Sequence, residues 1–322
     1  MIVYKKKEPK PKPSTGSRLE PIVDLDAQGD VNDEEPTPVP FDEDFLDELA
    51  EDEEIGDFWQ EGRSFREPIQ QALIAWNGEE EILILQTMQE SLLPKDGAVL
   101  SVVPLPGRPI DVSRGDPRAF ERAWSELERQ MADAGRERAL TETLSRRDIG
   151  THSIVAIRVD STSDLYGELD AYLEKTYGTG TSVYLGAKQR AVLRYYVEKC
   201  GFRYFAFDLQ RSRPNGMREK DAIAYRFKTS RVFYPLVISR LGGTGRTDVA
   251  LIVVTPGSFK SDAFTLKNFR QVSPTCDVDL ATLRTFDRGV AELMATRRGP
   301  YKFRAWHIFG EMDEFAADLF VK

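Results

Sequence analysis

Cysteine and histidine are nearly absent, with two of each in 322 residues. Cys200 and Cys276 form no CxxC pair, so neither a disulfide framework nor a zinc knuckle is available. A nitrogen and sulfur metal site would have to gather both cysteines with His152 and His307 from four distant segments, none with ligand spacing. No metal site and no cofactor are expected. Histidine is the side chain most readily recruited as acid or base near neutral pH, yet both histidines fall in strand-like patterns and read as structural, hydrogen-bonded residues. Long apolar runs are missing too. The stretch ALIVV (Ala250 to Val254) is about a quarter of the ~20 residues that cross a bilayer as a helix. The opening MIVYKKKEPKPKPSTGS has basic residues with no apolar stretch behind them, unlike a secretory signal, so the cytoplasm is the expected location and no membrane association is expected.

Familiar catalytic signatures are equally scarce. No GxSxG nucleophile elbow occurs. The glycine-rich LGGTGRTD (Leu241 to Asp248) differs from a phosphate loop. Arg246 stands where lysine is required, the glycines are too closely spaced, and strands rather than a strand and a helix flank it. It reads as a hairpin loop, as does TYGTGTS (Thr176 to Ser182). Carboxylates at strand ends leave one chemical option open. Asp160 and Asp208, joined by Arg226 and Lys228, would form the pocket of a hydrolase or transferase if the fold gathered them.

What the chain does have is charge of one sign, unevenly placed. The net charge is −9. Residues 1–19 carry +5, and residues 20–61 carry eighteen Asp and Glu with no Lys or Arg. By difference the remaining body carries +4, so the acidity belongs to the N-terminal stretch. Like charges at that density, with Pro36, Pro38 and Pro40, predict a disordered tail through about residue 40, because little apolar surface is available to offset chain entropy. Residues 41–60 differ, since apolar side chains punctuate the acids: Phe41, Phe45, Leu46, Leu49, Ile55, Phe58 and Trp59. The four-residue spacing of Phe41, Phe45 and Leu49 places them on one face of a short helix. This pattern suits a docking peptide for a protein partner, its acids steering it toward basic surface. The other reading is that Phe58 and Trp59 pin the start of the folded body. The run DLDAQGDVNDEE (Asp24 to Glu35) imitates a calcium loop, with Asp at positions 1 and 3, Gly29 at 6 and Glu35 at 12. Its flanks, RLEPIV and PTPVP, cannot supply the helices such a loop needs, so calcium binding is not expected.

From Glu67 onward strands and helices alternate. QALIAW (Gln71 to Trp76) and EILILQT (Glu81 to Thr87) predict a hairpin turned at Asn77-Gly78. AVLSVVPLP (Ala98 to Pro106) predicts a strand that ends near Val103 or lies at an edge, given its prolines. Asp116 and Pro117 open a helix with Phe120, Trp124, Leu127 and Met131 on one face. Further strands are predicted at 152–159, 202–209, 222–229, 232–239, 246–254 and 301–309. Helices are predicted around Leu165 to Leu173, over Leu193 to Cys200 with Gly201 as a left-handed stop, and from Asp279 to Gly299. This order implies an α+β fold with mixed or largely antiparallel sheets, behind a disordered acidic tail. The domain expectation is a tail over 1–61 and a body over 62–322, which is either two lobes, 62–145 and 150–322, divided near 136–150, or one unit whose sheet is continuous across that segment.

QALIAWNGEEEILILQT, VVPLPGRP (Val102 to Pro109), GDPRAF (Gly115 to Phe120), YRFKTSRVFYPLVIS (Tyr225 to Ser239) and ALIVVTPG (Ala250 to Gly257) resemble the prokaryotic family catalogued as domain of unknown function 2330 over roughly residues 67–257. The resemblance agrees with the fold reading and implies no activity, because that family has none established. GFRYFAF (Gly201 to Phe207) is similar to the aromatic strand of RNA-recognition domains. A helix precedes it where that domain has a strand, Arg203 replaces a small residue, and the acidic tail competes with phosphate, so nucleic acid is not an expected partner. The sequence-level expectation is a non-enzymatic interaction module, with a carboxylate-based hydrolase or transferase as the alternative and nucleic-acid binding as a third reading.

Overall fold

The computed structural model describes residues 2–4, 34–41, 65–91, 97–133, 152–177, 185–212, 216–219, 221–242, 245–257 and 269–321. The Asn77-Gly78 hairpin forms where the sequence places it, between β2 (Phe65–Trp76) and β3 (Glu80–Ser91). Asn77 Oδ1 accepts from the amides of Glu79 at 2.9 Å and Glu80 at 2.8 Å, and Gly78 sits at φ +102°, where a Cβ is strained. This hairpin is the middle of a nine-stranded sheet. On its β2 side lie β11 (Arg246–Thr255), β14 (Tyr301–Glu311) and, along the outer edge of β14, β12 (Phe269–Gln271) and β13 (Cys276–Val278). On its β3 side lie β8 (Gly216–Glu219), β9 (Ile223–Lys228) and β5 (Pro109–Arg114). The β2–β11 pair is parallel and the other pairs are antiparallel.

A second, four-stranded antiparallel sheet has the order β1 (Ile2–Tyr4), β4 (Gly97–Leu105), β7 (Tyr204–Ser212), β6 (His152–Arg158). β1 pairs with Ala98 to Leu100 of β4, and Pro104 lies beyond that pairing, where β7 is the neighbour of β4 among the described residues. A two-stranded pair, β10 (Val232–Tyr234) with β15 (Leu319–Val321), closes one end. The fold is thus α+β with largely antiparallel sheets. Strands from both sides of residues 136–150 share both large sheets, β4 with β7 and β3 with β9, so the expected lobes are interwoven rather than separated at that segment.

Neither face of the large sheet meets solvent over its central strands, which explains why they read as continuous apolar runs without alternation. Leu73, Ala75, Ile84, Ile252, Val254 and Phe303 face α1 (Ala119–Asp133), α4 (Leu280–Phe286) and α5 (Arg288–Met294). The predicted single helix from Asp279 is two helices. Asp287 at φ −155°, ψ 142° leaves helical geometry, ends α4, and caps α5 by accepting from the Val290 amide at 3.0 Å. Ala72, Ile74, Leu83, Leu251 and Val253 face the other way, into a core shared with the four-stranded sheet, α2 (Thr162–Tyr177) and α3 (Ala187–Arg194). α3 runs on into a π turn, Tyr195–Lys199, and Gly201 at φ +79° ends it as expected. The predicted strand 232–239 stops at Tyr234, because Pro235 lacks a ladder donor, and a 3₁₀ turn, Val237–Gly242, follows.

Candidate functional site

Within the N-terminal stretch, residues 34–41 form an extended strap across the body. Its three prolines donate no hydrogen bonds, so few amides need partners, and those of Thr37 and Phe41 find them. Thr37 N donates to Cys200 O at 2.9 Å, Phe41 N to Ala316 O at 2.5 Å, and the Tyr195 hydroxyl to Val39 O. At one end Glu35 accepts from the Ser230 amide at 2.6 Å, the Ser230 hydroxyl at 2.5 Å and the Thr229 hydroxyl at 2.8 Å, with Arg231 at 3.6 Å. Burial pushes the Glu35 carboxyl up, but these hydrogen bonds and the Arg231 charge outweigh it and hold the carboxyl below its ordinary value. At the other end Phe41, 5% exposed, packs edge-on against Tyr195 at 5.1 Å, with the Arg240 guanidinium 4.4 Å from its ring centre.

Phe41, expected among the partner-binding side chains, is therefore committed to the body, because Tyr195 and Arg240 offer it a closed slot. Phe45, Leu46, Leu49, Phe58 and Trp59 lie outside the described residues. So does the imitation calcium loop except for its last residues, and Glu35, its twelfth position, is engaged by Thr229, Ser230 and Arg231. The chain leaves the strap at a rim that carries Glu311, Asp313 and Glu314 beside Phe41 and Arg240.

The four residues expected to gather in a pocket do not meet. Asp160 is exposed, pairs with Arg158 at 2.8 Å, and its carbonyl accepts from Arg203 at 2.6 Å, bracing the start of α2. Arg226 is taken up by Glu80 at 2.6 and 2.9 Å, and Lys228 is exposed at the end of β9. Asp208 alone points inward, 4% exposed. It lines a cavity of about 60 Å³ between the two sheets. Glu67, Thr87, Asp221 and Tyr225 line it as well, along with apolar Leu85, Val102, Val103 and Ile223. Burial above all, and then the charges of Asp208 and Glu67, pushes the Tyr225 phenol well above its ordinary value. Arg114 pairs with Asp221 at 2.8 Å. On the same lining the Tyr234 hydroxyl donates to Gln70 Oε1 at 2.8 Å, and Gln70 Nε2 donates to the Ser239 hydroxyl at 3.4 Å.

Two further acids lie in the same inter-sheet region. Asp318 Oδ1 accepts from the amides of Leu236 at 2.7 Å and Val237 at 2.8 Å and from the Tyr196 hydroxyl at 2.9 Å, tying the chain before β15 to the 3₁₀ turn. Burial still prevails and pushes its carboxyl up to about 7. Glu81, with no exposure, accepts from the Phe233 amide at 2.8 Å, and burial raises its carboxyl well above the ordinary range. His307 Nε2 lies 3.0 Å from Asp248 Oδ1 across β11 and β14, in keeping with a structural histidine. His152 opens β6, and both cysteines are buried. Sequence reading missed Glu35, Glu67, Glu81, Thr87 and Asp318. The signal that could have found Glu81 and Thr87 was parity, since both share a strand face with Leu83 and Leu85.

No protein-family model matches the chain, and no curated protein matches it. Solved structures of baculovirus P35 are similar to it. A crystal structure of that protein aligns over 80% of this chain and 91% of its own, at 11% identity and a TM-score of 0.41. A mutated P35 after caspase cleavage aligns over 82% and 99%, at 12% identity and a TM-score of 0.37. The caspase-8/P35 complex aligns over 83% and 94%, at 14% identity and a TM-score of 0.33. Among the described residues, no helix is long and apolar enough to cross a membrane, and no group of three or more His, Cys, Asp or Glu is arranged to hold a metal ion.

Proposed function

We propose that the protein acts by contact, presenting residues 42–61 to a protein partner from a fixed point on the body. The observation that carries this reading is the strap. Glu35 and Phe41 anchor it at both ends, so the acidic and aromatic chain that follows starts from a defined place rather than from a free tail. The rim at that place is itself acidic, with Glu311, Asp313 and Glu314, and the chain continues as Asp42-Glu43-Asp44. Like charges disfavour the continuation lying on that rim and favour a basic partner surface, whose apolar groove would take Phe45, Leu46, Leu49, Phe58 and Trp59. Fixing one end of a peptide also lowers the entropy lost when it docks.

The test is quantitative affinity purification of the full chain beside a variant with Phe45, Leu46, Leu49, Phe58 and Trp59 all replaced by alanine. The expected result is a protein bearing a basic surface that is retained by the full chain, released by moderate salt, and lost from the variant. Recovery of the same proteins at the same level by both would end the proposal.

A further inference from the structure

We infer that the groove beneath the strap is a peptide-recognition surface, and that a second copy of this chain supplies its occupant in trans by docking the same residues, 35–41. This does not rest on residues 42–61 having a partner. Three observations carry it.

The first is how the strap is read. It belongs to none of the described sheets, so its contacts are those of a ligand lying in a groove rather than of a strand in a ladder. Pro36 and Phe41 are buried and Glu35 and Val39 half-buried, while Thr37, Pro38 and Pro40 face outward. A charged anchor therefore sits at one end and an aromatic anchor at the other. Between them the body takes up the main chain: the Arg231 guanidinium donates to Pro36 O at 2.7 Å, and Cys200 O, the Tyr195 hydroxyl and Ala316 O engage Thr37, Val39 and Phe41. Three prolines stiffen the segment, which is the economy that proline-rich peptides bring to aromatic-lined grooves.

The second is that the receiving side chains are braced by the body and not by the strap. The Arg231 guanidinium lies 4.7 Å from the Phe320 ring centre, and Arg240 Nε donates to Phe315 O at 2.8 Å. Tyr195 packs edge-on to Tyr196 at 5.3 Å, and the Thr229 amide donates to Glu79 O at 2.9 Å. A groove already in place loses little freedom when it is filled, whichever copy fills it.

The third is connectivity. Residues 5–33 join the strap to β1 and residues 42–64 join it to β2. A chain as long as the shorter of these reaches at most roughly 80 Å, enough to pass to a neighbouring molecule. Every strap contact can then be remade unchanged in trans, which is the condition for exchanging an identical element between protomers.

The experiment pairs two full-length variants with complementary defects. Glu35→Ala with Phe41→Ala removes both strap anchors and leaves the groove open. Arg231→Glu with Arg240→Glu keeps the strap and spoils the groove at both ends. Each alone is expected to sediment as a monomer. Their equimolar mixture, raised toward the roughly millimolar effective concentration at which a tethered segment competes, is expected to form a one-to-one complex. The unmutated chain, whose own strap fills its groove, is expected to bind the groove variant about tenfold or more weakly than the strap variant does, because its groove is open for only a fraction of the time. If the groove variant does not fold, a fluorescently labelled synthetic peptide of residues 34–41 takes its place, with the same peptide carrying alanine for Glu35 and Phe41 as its control. No complex by either route at that concentration, equal binding by the unmutated chain, or equal binding of the control peptide would overturn the assignment.

Discussion

The two faces of the nine-stranded sheet are built from the same strands and differ in kind. On the helical face, Leu73, Ala75, Ile252, Val254 and Phe303 meet α1, α4 and α5 in an apolar layer. On the inter-sheet face lie the buried carboxylates found among the described residues, Glu81, Asp208, Asp221 and Asp318. Glu81 lies on β3 between Ile82 and the hairpin turn, and the strand alternates its side chains between faces, so a shift of one residue would move that acid under the helices, while Asp208 comes from β7 of the four-stranded sheet and Asp221 and Asp318 from the segments before β9 and β15. The comparison teaches that one layer holds the fold by burial alone, while the other tolerates charge because backbone amides, tyrosine hydroxyls and a cavity meet it.

The largest effect is expected from the apolar layer. Phe286→Ala, at a fully buried ring against Phe303, should lower unfolding free energy by about 3–5 kcal/mol with no dependence on pH, read from denaturant titrations at two pH values. A loss that varied strongly with pH would blur the distinction between the faces. Next comes Asp318. Its carboxyl is raised to about 7 from an ordinary 3.8, so the folded chain holds the proton more tightly than the unfolded chain. Its contribution is fully present below about pH 4 and is lost as pH rises to 7, on the order of 4 kcal/mol over that window. Asp318→Asn keeps an acceptor for Leu236, Val237 and Tyr196 and should flatten the curve over that window, leaving the variant more stable than the parent above pH 7. An unchanged pH profile would show that Asp318 is not a strained acid.

Smaller effects are expected at the margins. Phe41→Ala should cost up to about 3 kcal/mol, confined to the strap, with faster hydrogen exchange at the Thr37 and Phe41 amides and none of the sheet amides affected. Gly78→Ala should cost roughly 1–2 kcal/mol, since φ +102° strains any Cβ at the hairpin, measured as a shift in denaturant midpoint.

What could be read from the chain follows the range of the forces involved. The β2–β3 hairpin and α1 are legible because their signals are local, a two-residue turn and a four-residue spacing. The order of strands is less so. β5, which begins at a proline, and the break at Asp287 went unread, because each depends on neighbours far along the chain. The strap was invisible for the same reason. Proline and acid content argue for a solvated coil, and only Thr229, Ser230 and Arg231, nearly two hundred residues away, make Glu35 worth ordering. The cavity was half legible. Asp208 was picked out at a strand end, but its companions Asp160 and Arg226 face elsewhere, and continuous apolar runs hide which parity looks inward.

The measurement that bears most directly on the function is partner retention by three proteins side by side: the full chain, the five-alanine variant of residues 45–59, and Phe41→Ala. The account expects full retention by the first, loss by the second, and weakened retention by the third, because an unpinned strap no longer presents the segment from a fixed point. Equal retention by all three would contradict it.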